Sequence, residues 1–321
     1  MLDTSFRCYD NKIMSKETIF ALATPAARSG VAIIRISGPQ ALPALVTLTG
    51  KADWQPRLAA SSVICHPSTG EAIDNGLALY FAGPRSFTGE DVVELHLHGS
   101  LAVIRQMLDV LAGFDGLRMA EPGEFTRRAF MHGKMDLIEA EGLADLIASE
   151  TPAQKSQAQR QMQGDMSRYF DSLRAQIITA LAHLEAYIDF PEEEIPEAVL
   201  HGLEGEIAGI KDTIGRALAD GGRGEKLRDG LSIVILGAPN AGKSSLLNAI
   251  AGRDAAIVSH RAGTTRDVIE IRMEIAGFPV ILMDTAGLRE TADDIEEEGV
   301  RRALQRAAAA DIKDRKSTRL N

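Results

Sequence analysis

Between residues 18 and 131 apolar residues recur mainly with a period of two, in short runs separated by glycine and proline turns. This pattern predicts strands over 31–36, 62–65, 77–81 and 92–97, with one helix near 101–111. A compact α+β domain follows from it. From Asp136 onward the period changes to that of a helix, over 136–149, 153–188 and, after an acidic turn at Pro191, 196–219. Gly221, Gly222, Arg223 and Gly224 then have the composition of a flexible joint, and the apolar run Leu231–Leu236 begins a third unit as a strand. No repeat at solenoid spacing occurs.

These periods divide the chain into 14–131, an N-terminal domain; 132–228, the first part of a helical domain; and 229–312, the first half of an α/β domain. Residues 1–13 read as an upstream extension and 313–321 as a charged, aperiodic tail, either of them native or foreign. Because a buried strand is expected where that tail stands, the chain is expected to stop before its last domain is complete. Leu231–Leu236 would then lie at an exposed apolar sheet edge.

The net charge of -10 argues against a general attraction to phosphate backbones, so any RNA contact must come from local basic patches such as Arg127 and Arg128, or Arg301, Arg302 and Arg306. Solvated helix faces are the commoner explanation for such pairs. The two cysteines, Cys8 and Cys65, form no CxxC pair, which disfavours a disulfide framework and fits a reducing cytoplasm. No apolar run approaches the ~20 residues of a membrane span.

The sharpest chemistry lies in the third unit. Gly237, Ala238, Pro239, Asn240, Ala241, Gly242, Lys243 and Ser244 fit GxxxxGKS, after an apolar strand and before the helical run opened by Ser245. That context is what a P-loop requires: backbone N–H groups cradle phosphate, Lys243 adds a point charge, and the Ser244 hydroxyl can ligate Mg2+. Gly263, Thr264, Thr265, Arg266 and Asp267 then read as a first switch. Asp284, Thr285, Ala286 and Gly287, after the apolar run Val280–Met283, read as a second. Thr265 is placed to bind Mg2+, Asp284 to hold its water shell, and the Gly287 N–H to meet the γ-phosphate. Leu288 stands where Ras-like enzymes carry a water-orienting glutamine, so another group must do that work; acids follow at Glu290, Asp293, Asp294, Glu296, Glu297 and Glu298. Glu94, His96 and His98 share one strand face, a spacing that can also begin a metal site.

PNAGKSSLLNAI with GTTRD and DTAG resembles several groups of bacterial GTPases and does not choose among them. Three N-terminal motifs do: Arg35–Gly38 (RISG), Ser86–Leu95 (SFTGEDVVEL) and Pro122–Leu137 (PGEFTRRAFMHGKMDL) together resemble the MnmE (TrmE) family over roughly residues 15–311. The resemblance implies an N-terminal folate-binding and dimerising domain, a helical domain, and a Ras-like P-loop GTPase domain inserted into the helical one. It implies a cytoplasmic homodimer that joins a flavoprotein partner, MnmG (GidA), in a heterotetramer and modifies the wobble uridine of certain tRNAs at carbon 5 with a one-carbon folate. By motif match, Arg35, Glu94 and Lys134 would hold 5-formyltetrahydrofolate. Asn240, Ser259, Arg261 and Thr264 would hold K+, and Glu296 would orient the attacking water. The GTP contacts would run over Asn240–Ser245, Ser259, His260, Arg261, Ala262, Gly263, Thr264 and Thr265, then Asp284–Gly287. A folate-binding scaffold without GTPase activity and a ribosome-assembly GTPase are the alternatives. Lacking its guanine-reading segment, this chain is expected to bind folate and dimerise but to hydrolyse GTP poorly.

Overall fold

The computed structural model describes residues 17–189, 197–220, 222–236, 259–260, 270–284, 308 and 310–315, which fall into two compact units, 1–137 and 138–321.

In the first unit, six strands and three helices alternate along the chain: β1 (Thr18–Leu22), β2 (Ser29–Ser37), α1 (Ala41–Thr49), β3 (Ala60–Cys65), β4 (Ala72–Phe81), β5 (Val92–Gly99), α2 (Leu101–Ala112), β6 (Leu117–Met119) and α3 (Glu124–Met131). The sheet order is β3-β4-β5-β2-β1-β6, antiparallel throughout except where β6 runs parallel to β1. Every strand anticipated from the period of two is present. Alternation buries Ala32, Ile34 and Ile36 of β2 and Val93, Leu95 and Leu97 of β5 on one face, where Ile34, Ile36, Val93, Leu95 and Leu97 share a core cluster with Leu45 and Leu48 of α1 and Met107 and Leu111 of α2. The opposite face of the same two strands carries Arg35, Glu94 and His96, in register across the sheet. Gly38 closes β2 at φ 132°, and a Cβ there would come within 2.8 Å of the Thr18 backbone, so only glycine fits that corner.

The second unit contains α4 (Leu137–Ala148), whose first residue closes the first unit, α5 (Pro152–Met162), α6 (Asp165–Asp189), α7 (Glu197–Ala219) and α8 (Arg223–Asp229). Its sheet is built from β7 (Leu231–Leu236), β8 (Ser259–His260), β9 (Glu270–Ile275), β10 (Phe278–Asp284) and β11 (Ile312–Arg315), in the order β11-β7-β10-β9-β8. β7 runs parallel to both β10 and β11, while β9 and β10 form an antiparallel hairpin.

Three expectations change here. The helix anticipated over 153–188 is two helices, because Gly164 takes a left-handed φ of 75° between them. The joint expected at 221–224 instead opens α8: Gly222, at φ 70°, precedes its first turn, and Gln157 Nε2 and Gln154 Nε2 donate to the carbonyls of Gly224 and Arg228. Nor is β7 an exposed edge, since β11 covers it from Ile312 to Arg315. Asp311 fixes that pairing by accepting from the N–H and hydroxyl of Ser232, at 3.0 and 2.8 Å, while Lys226 Nζ lies 3.0 Å from its other oxygen. These contacts hold the Asp311 carboxyl down at about 2, the Ser232 backbone N–H being the largest cause.

Candidate functional site

On the face of the first sheet opposite the helices, Arg35 and Glu94 are direct cross-strand partners. Arg35 Nε and Nη2 both donate to Glu94 Oε1, at 3.0 and 2.8 Å, and His96 Nε2 lies 3.3 Å from the other oxygen. The arginine and the carboxylate are both partly buried, so the pair is neither a solvated surface bridge nor sealed from a ligand. The Arg35 guanidinium also lies 5.3 Å from the centroid of Phe87 and 5.7 Å from that of Phe125, within cation–π range of both rings.

Phe87 belongs to the segment between β4 and β5, and Lys134 is tied to that segment, its Nζ donating to the Pro84 carbonyl at 2.8 Å. The structure therefore places Arg35 and Glu94 in contact and anchors Lys134 on the loop that supplies one of the rings over Arg35.

A buried ionic network holds the two ring-bearing segments. Arg128, on α3, donates to both oxygens of Glu90 at 3.1 and 3.0 Å, to Glu124 at 3.1 Å and to the Glu17 carbonyl at 3.0 Å. Arg118 makes a two-pronged contact with Glu124 at 2.8 and 2.7 Å. Glu124 is 2% exposed, yet its carboxyl is held at about 2, first by the Arg118 hydrogen bonds against the opposing effect of burial, then by the Glu121 N–H and Arg128. Glu90 also accepts from Ser37, whose hydroxyl meets that of Thr88 at 2.7 Å, and the Thr88 carbonyl lies 2.7 Å from His132 Nδ1. Arg128, read from sequence as a possible RNA contact, is thus spent inside the protein, and Arg127 pairs with Glu121. Sequence reasoning passed over Phe87, Phe125, Glu90 and Glu124, although all four lie inside the three N-terminal motifs; only burial separates the two glutamates from surface acids.

The alternation of Glu94, His96 and His98 does not assemble a metal site. His98 turns to Asp74, 2.8 Å away, and among the described residues no three His, Cys, Asp or Glu side chains converge on a point. Burial pushes the Asp74 carboxyl up, but the His98 N–H and ring and the Asn75 N–H outweigh it and leave it below its ordinary value.

In the second unit the strand ends carry the argument. The register pairs Ile235 of β7 with Asp284 of β10 in parallel. The carboxyl ends of two neighbouring strands, where GxxxxGKS and the rest of DTAG begin, therefore open at the same edge of the sheet. With β11 on the other side of β7, that edge is flanked as in a doubly wound nucleotide-binding sheet. Ser259 and His260 form β8, beside β9. Asn240, Ala241, Gly242, Lys243, Ser244, Ser245, Arg261, Ala262, Gly263, Thr264, Thr265, Thr285, Ala286, Gly287 and Glu296 lie outside the described residues.

An α+β domain, a run of helices and a mixed sheet in which β7, flanked by two parallel strands, leads into GxxxxGKS define a multidomain P-loop protein. Comparison with known proteins makes this specific. The family model of the GTP-binding protein TrmE N-terminus matches residues 18–134, and that of the MnmE helical domain matches 137–319. The tRNA modification GTPase MnmE of Parvibaculum lavamentivorans is 57% identical over 297 residues, covering 92% of this chain and 68% of its own length. Those of Paramagnetospirillum magneticum and Rickettsia rickettsii are 53% and 50% identical, each with 92% of this chain and 67% of the relative covered. Among solved structures, the G domain of the T. maritima FeoB iron transporter matches 28% of this chain and 57% of its own at 27% identity, with a TM-score of 0.22. The chain belongs to the MnmE family of tRNA modification GTPases. Among the described residues no helix is long and apolar enough to cross a membrane.

Proposed function

We propose that the protein hydrolyses GTP in the service of modifying the wobble uridine of certain tRNAs at carbon 5, using a one-carbon folate held by its first unit and a flavoprotein partner, MnmG. The observation that supports the nucleotide half is the parallel register of β7 and β10, whose carboxyl ends, from which the P-loop and the second switch continue in sequence, finish side by side. Lys243 and the P-loop N–H groups would cradle the phosphates; Ser244 and Thr265 would hold Mg2+, with Asp284 on its water shell. Asn240, Ser259, Arg261 and Thr264 would hold K+, at Ser259 and Arg261 through the backbone. These cations supply the positive charge that the transferring phosphoryl group needs. Glu296 would orient the attacking water, the role Leu288 cannot fill, and the Gly287 N–H would meet the γ-phosphate.

The first unit's residues fit a folate. Glu94 is a half-buried acceptor suited to the paired N–H groups of an aminopyrimidinone edge, and Arg35 and Lys134 supply cations for the ligand's carboxylates. Aromatic rings line the same place, as small-molecule sites require. The family resemblance further supports a cytoplasmic homodimer formed through this domain.

Calorimetric titration with 5-formyltetrahydrofolate tests the folate half: saturable binding lost in Glu94→Ala is expected, and a folded protein that binds none overturns the assignment. GTP turnover compared in potassium and sodium buffers, with magnesium, tests the other half. A rate indifferent to the monovalent cation removes the potassium site, and robust GTP-selective turnover by this chain overturns the expectation that it hydrolyses GTP poorly.

A further inference from the structure

The two phenylalanines that converge on Arg35 come from separate segments, and each sits beside a buried anchor. Phe87 lies between Ser86 and Thr88, both buried, the first donating to the Glu90 carbonyl and the second meeting Ser37. Phe125 follows Glu124, which is gripped by Arg118 and Arg128, and Arg128 joins α3 to the first segment through Glu90. Beside these anchors both rings stay half-buried, each within cation–π range of the Arg35 guanidinium that is paired with the Glu94 carboxylate. Two large aromatic side chains kept partly exposed beside an accessible hydrogen-bond acceptor are a costly arrangement for a core and a fitting one for a planar ligand.

The guanidinium is itself informative. Its Nε and Nη2 present two N–H groups in one plane to Glu94 Oε1, the same donor pattern that an aminopyrimidinone ring offers through its ring N–H and exocyclic amine. We propose that Phe87 and Phe125 are the specificity-determining residues of the first unit's site: they recognise the flat pteridine ring of the folate, which takes the place beside Glu94 that the Arg35 guanidinium holds, freeing Arg35 to meet the ligand's carboxylates. This rests on the folate reading above and adds to it which part of the ligand meets which side chains.

The test is calorimetric titration of the whole chain and its Phe87→Leu, Phe125→Leu and Phe87→Tyr variants with two ligands. One is 5-formyltetrahydrofolate; the other is 4-aminobenzoyl-glutamate, which keeps the benzoyl and carboxylate parts and lacks the pteridine. Each leucine variant is expected to lose about tenfold in affinity for the folate while the tyrosine variant keeps it. The weaker binding of 4-aminobenzoyl-glutamate is expected to be the same in all four proteins. A purely structural role for the rings would weaken both ligands together or lower the unfolding midpoint alone, and either result overturns the proposal. Unchanged folate binding in both leucine variants overturns it while the folate reading stands. No folate binding by the folded wild-type chain removes the reading and the proposal with it.

Discussion

The two sheets of this protein present their proposed sites in opposite ways. In the first, the proposed folate site lies on a sheet face: Arg35 and Glu94 are fixed by strand register, and nineteen buried apolar residues of one core cluster support them from behind. In the second, the proposed nucleotide site lies beyond the strand ends, and among the described residues the sheet's own buried cluster comprises Ile235, Met273, Val280 and Leu282. A site on a sheet face is set by packing and should fail with it. A site on strand ends needs only that neighbouring strands finish together, and it leaves the loops free to respond to a nucleotide.

The hardest test of the first sheet's rigidity is Arg128→Ala. It strips a buried cation from Glu90 and Glu124, and breaking such a network costs on the order of 3–5 kcal/mol. Trp54, the chain's one tryptophan, is buried in the first unit's core, so urea unfolding followed by its fluorescence reports that unit alone. A large drop in that midpoint is expected; an unchanged one would mean that the sheet, and not the network, holds α3 and its ring.

Acid probes the same network without mutation. The Glu124 carboxyl is depressed from 4.5 to about 2 in the folded protein, so its contribution is fully present above pH 4.5 and is lost as pH falls towards 2. A shift of that size corresponds to about 3 kcal/mol. The Trp54 unfolding midpoint should decline across that window, and Glu124→Gln should flatten the decline while lowering the plateau. An equal slope in the variant would assign acid sensitivity to other carboxylates.

In the second sheet the comparable clamp is Asp311, less buried and correspondingly weaker. Asp311→Asn keeps the shape but removes the charge that Ser232 and Lys226 stabilise, at a cost of roughly 1–2 kcal/mol. Amide exchange at Lys313 and Asp314 should accelerate in the variant. If it does not, β11 is held by its ladder to β7 alone.

Sequence made the first sheet legible because alternation is strict where one face is buried, as along Ala32, Ile34 and Ile36. It hid β11, because Lys313, Asp314 and Arg315 look like a solvated tail, whereas charge is also how edge strands avoid unwanted partners. Arg35, Glu94 and Lys134 are proposed from motifs, and the P-loop from spacing. Phe87 and Phe125 escaped notice because an isolated aromatic residue carries no period, and only the fold brings two such residues to one guanidinium.

The smallest expected effect concerns the break between α5 and α6, where helical periodicity continues on both sides and predicts one helix. Gly164 sits there at φ 75°, a conformation that costs a residue with a Cβ about 1 kcal/mol. The nearest atoms to an added methyl are Arg168 Nη1 at 3.4 Å and Glu139 Oε1 at 3.6 Å, ordinary contact distances, so the backbone term alone decides the outcome. Gly164→Ala should therefore lower thermal stability modestly, read by circular dichroism at the helical band, with no gain in helix content. A more helical and more stable variant would show that the chain prefers the continuous helix its sequence suggests. The turn would then be imposed from outside it, by the close packing of Gly142 in α4 against Ala158, Gln161 and Met162 at the end of α5.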